Sequence, residues 1–586
     1  MPGEPNDSAA SPLTWGEDGL PRSSLYGDVY FSAEGGLAES RAVFLEGCGL
    51  PDAWKGRSRF TVGELGFGTG LNIAALLDLW RRTSEPGALL HILSVEAHPI
   101  SRDDARRALS HWPEVAEAAR ALTERWPGRA RGLHRLELPE FRAILDLAMM
   151  DAGEALSGWG GKADAWFLDG FSPASNPQMW REELLALVAA RSNAGARAAT
   201  FTVAGAVRRG LQAAGFTVDK RPGFGRKRER LEARLPGDAP PLTPPPTIAI
   251  VGAGIAGASL ARAFRALGVE ARVFGAADGA SRNPAALVTP RLDAGLGPPA
   301  RLYADSFRRA VSLYGEVAEA VIARGARQLE NGERDAARFA AIAASDIFEA
   351  GSMTAQPVGL AMADALVVDP AAILDAWTAP GPMVDRLERD GSVWRLHCGD
   401  DIHEAQVVCL AAGHASADLA PTLRLQPIRG QASWATGLSL DEAVAFGGYA
   451  IPTKDGVLFG ATHDRDVTDD AVRDEDNARN LALIGQRLPQ LAKSLAGRPL
   501  EARASIRAAS PDRLPLAGAV PGAEGLFVLS GMGSRGFGAA PLLAEHVAAL
   551  ATGAPSPLME ELAVLVEPGR FIVRDNRRRG RTASHK

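Results

Sequence analysis

Cysteine is scarce: among 586 residues there are three, Cys48, Cys398 and Cys409. None stands in C-x-x-C spacing, so neither a disulfide framework nor a zinc site is expected, no metal is assigned, and buried free thiols are the reading adopted. Long hydrophobic runs are also missing, since no window approaches the roughly 18 apolar residues that a membrane-spanning helix needs. The opening MPGEPNDSAASPLTWGEDG is acidic and lacks an apolar core, so it does not read as a secretion signal, and a cytoplasmic chain is expected. Excess positive charge is absent as well. A net charge of -6 and a pI near 6.0 exclude nucleic-acid binding over the whole surface and leave room only for local basic patches. No repeat of roughly 20 to 50 residues is present.

What is present is a globular composition, 46% hydrophobic and 23% charged, in a chain long enough for several domains or two large ones. The boundary between them is legible. Prolines 236, 240, 241, 244, 245 and 246 remove backbone donors and disfavour helix, so 236–246 reads as an extended spacer between a domain at 1–235 and another at 247–565.

Directly after the spacer, Ile248 to Val251 reads as a buried strand. Gly252, Gly254 and Gly257 follow in G-x-G-x-x-G spacing, then an alanine- and leucine-rich helix over 258–267 and a second strand over 270–274. In that context the glycines let backbone approach a pyrophosphate seated on the helix N-terminus, which makes 247–565 a nucleotide-binding Rossmann-type domain. The acid expected after the second strand is missing. Gly275 stands there, and Asp278 is the nearest candidate for the ribose hydroxyls.

The first domain repeats the strand, glycine turn, helix logic with other spacing. Glu64, Gly66, Gly68 and Gly70 form E-x-G-x-G-x-G, which resembles the first motif of class I S-adenosylmethionine methyltransferases; another dinucleotide loop is the competing reading. A strand over 91–95 ends in Glu96, placed for ribose hydroxyls, and one over 145–150 leads to Asp151, placed for an adenine amino group. Solvated surface acids are the bland alternative for each. Asp169 emerges from the apolar strand Trp166 to Leu168, and its D-G-F-S-P turn resembles the place where amino methyltransferases hold an amine lone pair towards the methyl. Strands over 198–203 and 216–219 are expected to complete a seven-stranded sheet. Arg226, Lys227 and Arg228, inside KRPGFGRKRERLEAR, are candidate phosphate contacts, weighed against a merely solvated charged face.

Together YGDVYFSAEGGLAESRAVFL (26–45), GELGFGTGLN (63–72), DAWFLDGFSPASNPQMW (164–180), TFTVAGAVRRGLQAAGF (200–216) and PGFGRKRE (222–229) resemble the bifunctional tRNA 5-methylaminomethyl-2-thiouridine biosynthesis family. The resemblance implies an α/β chain. Its N-terminal class I methyltransferase domain uses S-adenosylmethionine, and its C-terminal domain uses FAD and is related to D-amino acid oxidase, with a β-rich substrate subdomain. It implies that the second domain frees an aminomethyl group on the tRNA wobble uridine, releasing glyoxylate, and that the first methylates it. A monomer acting on tRNA is expected.

In the second domain, 279–292 resembles the flavin-contacting loop of such oxidases, with Arg282 in place of a usual glycine. Residues 301–378 read as helices, and 393–398 and 405–410 as strands, the latter running to Gly413 beside the cofactor. Residues 424–465 are strand-rich, with Arg429, Gly430 and Gln431 similar to an R-G-Q of these enzymes. Gly533, Ser534, Arg535 and Gly536 match a turn whose helix faces the flavin, and Arg507 stands where related oxidases keep an arginine for a substrate carboxylate, weighed against a surface pair with Asp512. The last residues, 566–586, carry seven basic side chains from Arg570 to Lys586 and read as a disordered basic tail. Two other functions stay open: a small-molecule amino acid oxidase fused to an unrelated methyltransferase, and a non-catalytic RNA-binding scaffold.

Overall fold

The computed structural model describes residues 12–31, 35–225, 228–238, 244–276 and 278–583. Arg226, Lys227, residues 239–243 of the proline spacer and residues 584–586 lie outside the described residues. The chain divides into two compact units, Met1–Pro244 with Pro555–Glu560, and Pro245–Ala554 with Glu561–Lys586. The short segment from near the C-terminus is therefore part of the first unit, which the position of the spacer did not suggest.

The first unit is built on β1 (Arg59–Leu65), β2 (Leu89–Glu96), β3 (Gly132–Leu138), β4 (Ala143–Met149), β5 (Ala163–Leu168), β6 (Ser192–Thr200), β7 (Thr217–Pro222) and β8 (Glu229–Arg234). They form one sheet in the order β3-β4-β2-β1-β5-β6-β8-β7. The five central strands are parallel and mostly buried, as strands covered on both faces are. The sheet has eight strands where seven were expected, because the basic segment after Thr217 folds back as the antiparallel hairpin β7–β8. Strand order reverses at β1, and in open α/β sheets ligands bind outside the carboxyl ends of strands at such a switch point.

In the second unit β9 (Ile248–Val251), β10 (Ala271–Phe274), β11 (Val407–Leu410), β12 (Leu516–Ala519) and β13 (Leu526–Ser530) form a sheet in the order β10-β9-β11-β13-β12. All its pairings are parallel except that of β12 with β13. A larger sheet includes Gln426–Thr436, Gly456–Gly460 and Glu501–Ala509. This is the β-rich subdomain foreseen.

Three expectations need correction. Within 301–378, helices Pro298–Gly315, Asp335–Ala343 and Pro370–Trp377 alternate with strands Val321–Leu329, Met353–Gln356 and Gly359–Val368. These segments are rich in alanine, which composition reads as helix, but antiparallel pairing decides, in a tight hairpin between Met353–Gln356 and Gly359–Val368 and at longer range with Val321–Leu329. The strand foreseen over 405–410 is two, broken at Gln406, with Ala405 ending a small three-stranded sheet. The basic tail is not disordered over most of its length: Arg570–Ala583 is helical. Its anchors are Arg570, whose Nε and Nη2 donate to Asp512 at 3.0 and 2.9 Å, and the buried ring of Phe571. All three cysteines are buried free thiols, and burial pushes Cys48 up to about 12.

Candidate active sites

At the carboxyl ends of β1, β2 and β5 lies a cavity of about 1160 Å³ whose lining includes Gly66, Gly68, Glu96, Asp151 and Asp169. The glycine turn packs directly against the catalytic candidate. A methyl group at Gly66 would lie 2.3 Å from the carbonyl oxygen of Asp169, so no other residue fits there without moving the aspartate. Glu96 receives the N–H of Gly68 on one oxygen at 2.9 Å and that of His98 on the other at 2.8 Å, and so fixes the turn it follows. Asp151 reaches the cavity but caps the helix Ala152–Gly158, accepting from Gly153 at 2.8 Å and from Arg181 at 3.2 Å.

Glu64 is placed otherwise than expected. It is fully buried and is not among the described residues lining the cavity; Ser94 donates to it at 2.5 Å and its Oε1 has no partner. Burial pushes its carboxyl well above the ordinary range, and the charge of Asp169 adds to the shift. Asp169 itself accepts at 2.8 Å from Nδ2 of Asn72, whose Oδ1 accepts at 2.7 Å from Ser40. That chain fixes which end of the amide faces the aspartate.

Sequence reading missed several of these groups. Asn72 and Ser40 lie inside stretches that carried the family resemblance, but no chemistry had been assigned to them. Tyr26 and Tyr30 pack against Phe171 with ring centroids 4.9 and 5.3 Å apart, and burial raises the phenol of Tyr30. Arg228 is exposed, at the base of a hairpin whose Phe224 and Gly225 line the cavity.

In the second unit Gly252, Gly254 and Gly257 open the helix Ile255–Ala266 as foreseen. A methyl at Gly257 would lie 1.8 Å from the carbonyl oxygen of Gly252, which is why strand and helix approach so closely. Ser281, not singled out in the sequence, accepts the N–H of Ile255 at 3.1 Å and so brings the loop at 279–292 onto this helix N-terminus. Asp278 is exposed four residues beyond β10 and gives its carbonyl to Arg503. The strand end it was meant to serve is taken by Gly381 and Pro382, whose carbonyls accept from Gly275. Bare backbone at the fingerprint, with free space beside Gly413 and Gly533, fits an extended nucleotide cofactor.

Arg507 sits on the strand Glu501–Ala509, and Ala509 bridges to Met532, immediately before the turn Gly533–Arg535. Its guanidinium donates to the carbonyl of Thr462 at 2.9 Å. The surface pair with Asp512 does not form, since Asp512 is held by Arg570 and Arg574. Around it cations outnumber Asp464, the one carboxylate among the described residues that acts on it. Burial lowers the pKa of His463, and Arg507, Arg465 and Arg513 lower it further. Arg291 stacks over Tyr303, 5.8 Å from the ring centroid, and Arg535 has a buried Nε with no partner. Arg429 and Gln431, by contrast, serve the scaffold: fully buried Arg429 donates to Asp476 at 2.5 Å and Gln431 to Asn477 at 3.0 Å.

Comparison with known proteins agrees with both architectures. Residues 113–236 match a family described as S-adenosyl-L-methionine-dependent methyltransferase. Residues 247–550, more than half of the chain, match FAD dependent oxidoreductase. A Caulobacter protein (strain K31) is 59% identical over 598 residues, covering 97% of this chain and 99% of its own. Relatives from Caulobacter vibrioides, 60% identical over 96% of this chain and 98% of theirs, and Maricaulis maris, 43% identical over 98% of each, carry the same name. That name is tRNA 5-methylaminomethyl-2-thiouridine biosynthesis bifunctional protein MnmC. Matched end to end through both units, the chain belongs to the family of tRNA 5-methylaminomethyl-2-thiouridine biosynthesis bifunctional proteins.

Proposed function

We propose that the chain modifies the wobble uridine of tRNA in two steps, first freeing an aminomethyl arm from a carboxymethylaminomethyl arm and then methylating it. In the first step the secondary amine loses a hydride and a proton to give an imine, and water divides it into glyoxylate and the primary amine. In the second the amine nitrogen takes a methyl and loses a proton. FAD, when bound, accepts the hydride, and S-adenosylmethionine supplies the methyl. The observation that carries this reading is similarity to relatives of that name over nearly the whole length of both chains.

The residues divide the work. Arg507 holds the carboxylate of the arm, since a guanidinium fork matches that group, and its strand adjoins the Gly533 turn. Gly252, Gly254 and Gly257 admit the FAD pyrophosphate, with Gly413, Ser534 and Arg535 beside the ring. In the first unit Gly66, Gly68 and Gly70 admit the methyl donor, Glu96 and Asp151 face its adenosine, and Asp169 accepts from the amine and orients its lone pair. Arg226, Lys227 and Arg228 contact tRNA phosphate.

The test is anaerobic. Protein carrying FAD should bleach on addition of tRNA with the carboxymethylaminomethyl arm, and with the methyl donor present the recovered nucleoside should be the methylaminomethyl form. Bleaching by free amino acids at comparable efficiency, with none by tRNA, would establish the small-molecule oxidase instead.

A further inference from the structure

The segment before the first helix passes along the turn that carries Asp169. Tyr26 and Tyr30 pack on Phe171, and between them Asp28 accepts the N–H of Ser172 at 3.4 Å on one oxygen and that of Val29 at 2.9 Å on the other. Asp28 is half-buried and lines the cavity. Asp169 thus opens the stretch 169–172, and Asp28 is held against its other end at Ser172. The other acids of the lining are Glu39, Glu96 and Asp151, and among the described residues that line the cavity none is lysine or arginine.

Resting on the function proposed above, we infer that Asp28 is the specificity-determining residue of the methyl-transfer site: it admits an arm ending in an ammonium and repels one ending in a carboxylate. A primary amine with a pKa of ~10 arrives charged, and a carboxylate beside Asp169 attracts it until the proton leaves. An arm that still carries its carboxymethyl group is a zwitterion whose terminal carboxylate extends beyond the ammonium into a cavity lined by acids, where like charges at close range are unfavourable. The cavity thereby refuses the substrate of the earlier step. Only the product of an amine-liberating reaction enters, so methylation follows cleavage without any signal between the sites. Ser172 places the charge and the tyrosines hold the segment, which is why the residue has to be a short acid at this position.

Three anticodon stem-loops test this, carrying 5-aminomethyluridine as substrate and 5-carboxymethyluridine or unmodified uridine as competitors; the carboxymethyl arm has no amine, so the oxidative site cannot process it. Methyl transfer and equilibrium binding of S-adenosylhomocysteine are measured in wild type and Asp28→Asn. Asparagine can still accept from Ser172 and gives up only the contact with its neighbour Val29, so S-adenosylhomocysteine binding should stay within about twofold. The variant should bind the carboxymethyl competitor about tenfold better relative to the uridine competitor, and its KM for the aminomethyl loop should rise about tenfold. In wild type, high salt should narrow the gap between the two competitors, a measurement that depends on no variant. An unchanged competitor ratio in Asp28→Asn that binds S-adenosylhomocysteine normally overturns the proposal alone, as does a salt-insensitive gap. Failure of wild type to methylate the aminomethyl loop overturns the function beneath it as well.

Discussion

Asp169→Asn should nearly abolish methyl transfer while leaving the methyl donor bound. Oδ2 of Asp169 faces Nδ2 of Asn72 at 2.8 Å, and Asn72 cannot turn over, because its Oδ1 is taken by Ser40 at 2.7 Å. An asparagine at 169 must therefore give its oxygen to Asn72 and point its NH2 into the cavity, where a donor meets a donor. The amine loses the acceptor that orients it and the base that takes its proton. General base catalysis contributes about 10²- to 10⁴-fold, which is about 3 to 5 kcal/mol of barrier. The assay is single-turnover transfer to tRNA bearing a preformed aminomethyl arm, with S-adenosylhomocysteine titration beside it. Asn72→Leu removes one hydrogen bond to the carboxylate but leaves its charge, and should cost about tenfold. Transfer by Asp169→Asn within threefold of wild type, with saturating substrates, would refute the assignment.

In the oxidative unit, Arg507→Met should slow anaerobic flavin reduction by carboxymethylaminomethyl tRNA about 10- to 150-fold, the worth of one charge-assisted hydrogen bond, with methylation of preformed aminomethyl tRNA unaffected. Equal reduction rates across substrate concentration would remove the anchor. Glu64 gives a pH signature: because burial holds its folded pKa above the ordinary 4.5, its contribution to stability is complete below that value and is lost as pH rises through the folded pKa. Urea unfolding of the first unit should therefore weaken with rising pH in that window, by up to about 1.4 kcal/mol per pH unit, and Glu64→Gln should flatten the slope; parallel slopes would mean that the group ionises normally. Finally, a fragment of residues 1–244 should bind the methyl donor but unfold about 2 to 3 kcal/mol more easily than the same unit in the whole chain, since it lacks buried Met559, the Pro555 carbonyl that accepts from Arg135 at 3.3 Å, and the Arg191–Glu560 pair. Equal urea midpoints for fragment and whole chain would show that the segment adds nothing.

Local signals were legible and long-range ones were not. Gly66 and Gly257 could be read because each position tolerates no side chain, a constraint that leaves its mark on the sequence. Glu96 and Asp169 were found because they follow apolar strands directly, and strand ends are visible as composition. Asn72 and Asp28 were overlooked for the opposite reason: their partners lie 97 and 144 residues away, and nothing local distinguishes an asparagine on a helix or an aspartate in a loop. The strand Val321–Leu329 is alanine- and arginine-rich and becomes a strand only through its partners. The C-terminal helix failed as a reading because net charge hid two anchors, Arg570 on Asp512 and the buried ring of Phe571, among residues that do face solvent.

The charge of the two sites follows the charge of the arm. Before cleavage the arm carries a carboxylate, and near Arg507 lies His463, whose pKa burial lowers first and Arg507, Arg465 and Arg513 lower further, against the opposing charge of Asp464. After cleavage the carboxylate is gone and the arm is a cation. On the reading proposed above, the first unit meets it with Asp169 and, held against the same turn, Asp28, with no described lysine or arginine in the lining. A partly buried guanidinium such as Arg507 loses hydration, which lowers its pKa, and an anion beside it would offset that loss. Each arrangement is explained by a ligand of opposite sign. On the proposed reading the order of the reactions is a property of each site taken alone, and reversing one charge at either site should change which arm is accepted there without altering the chemistry at the other.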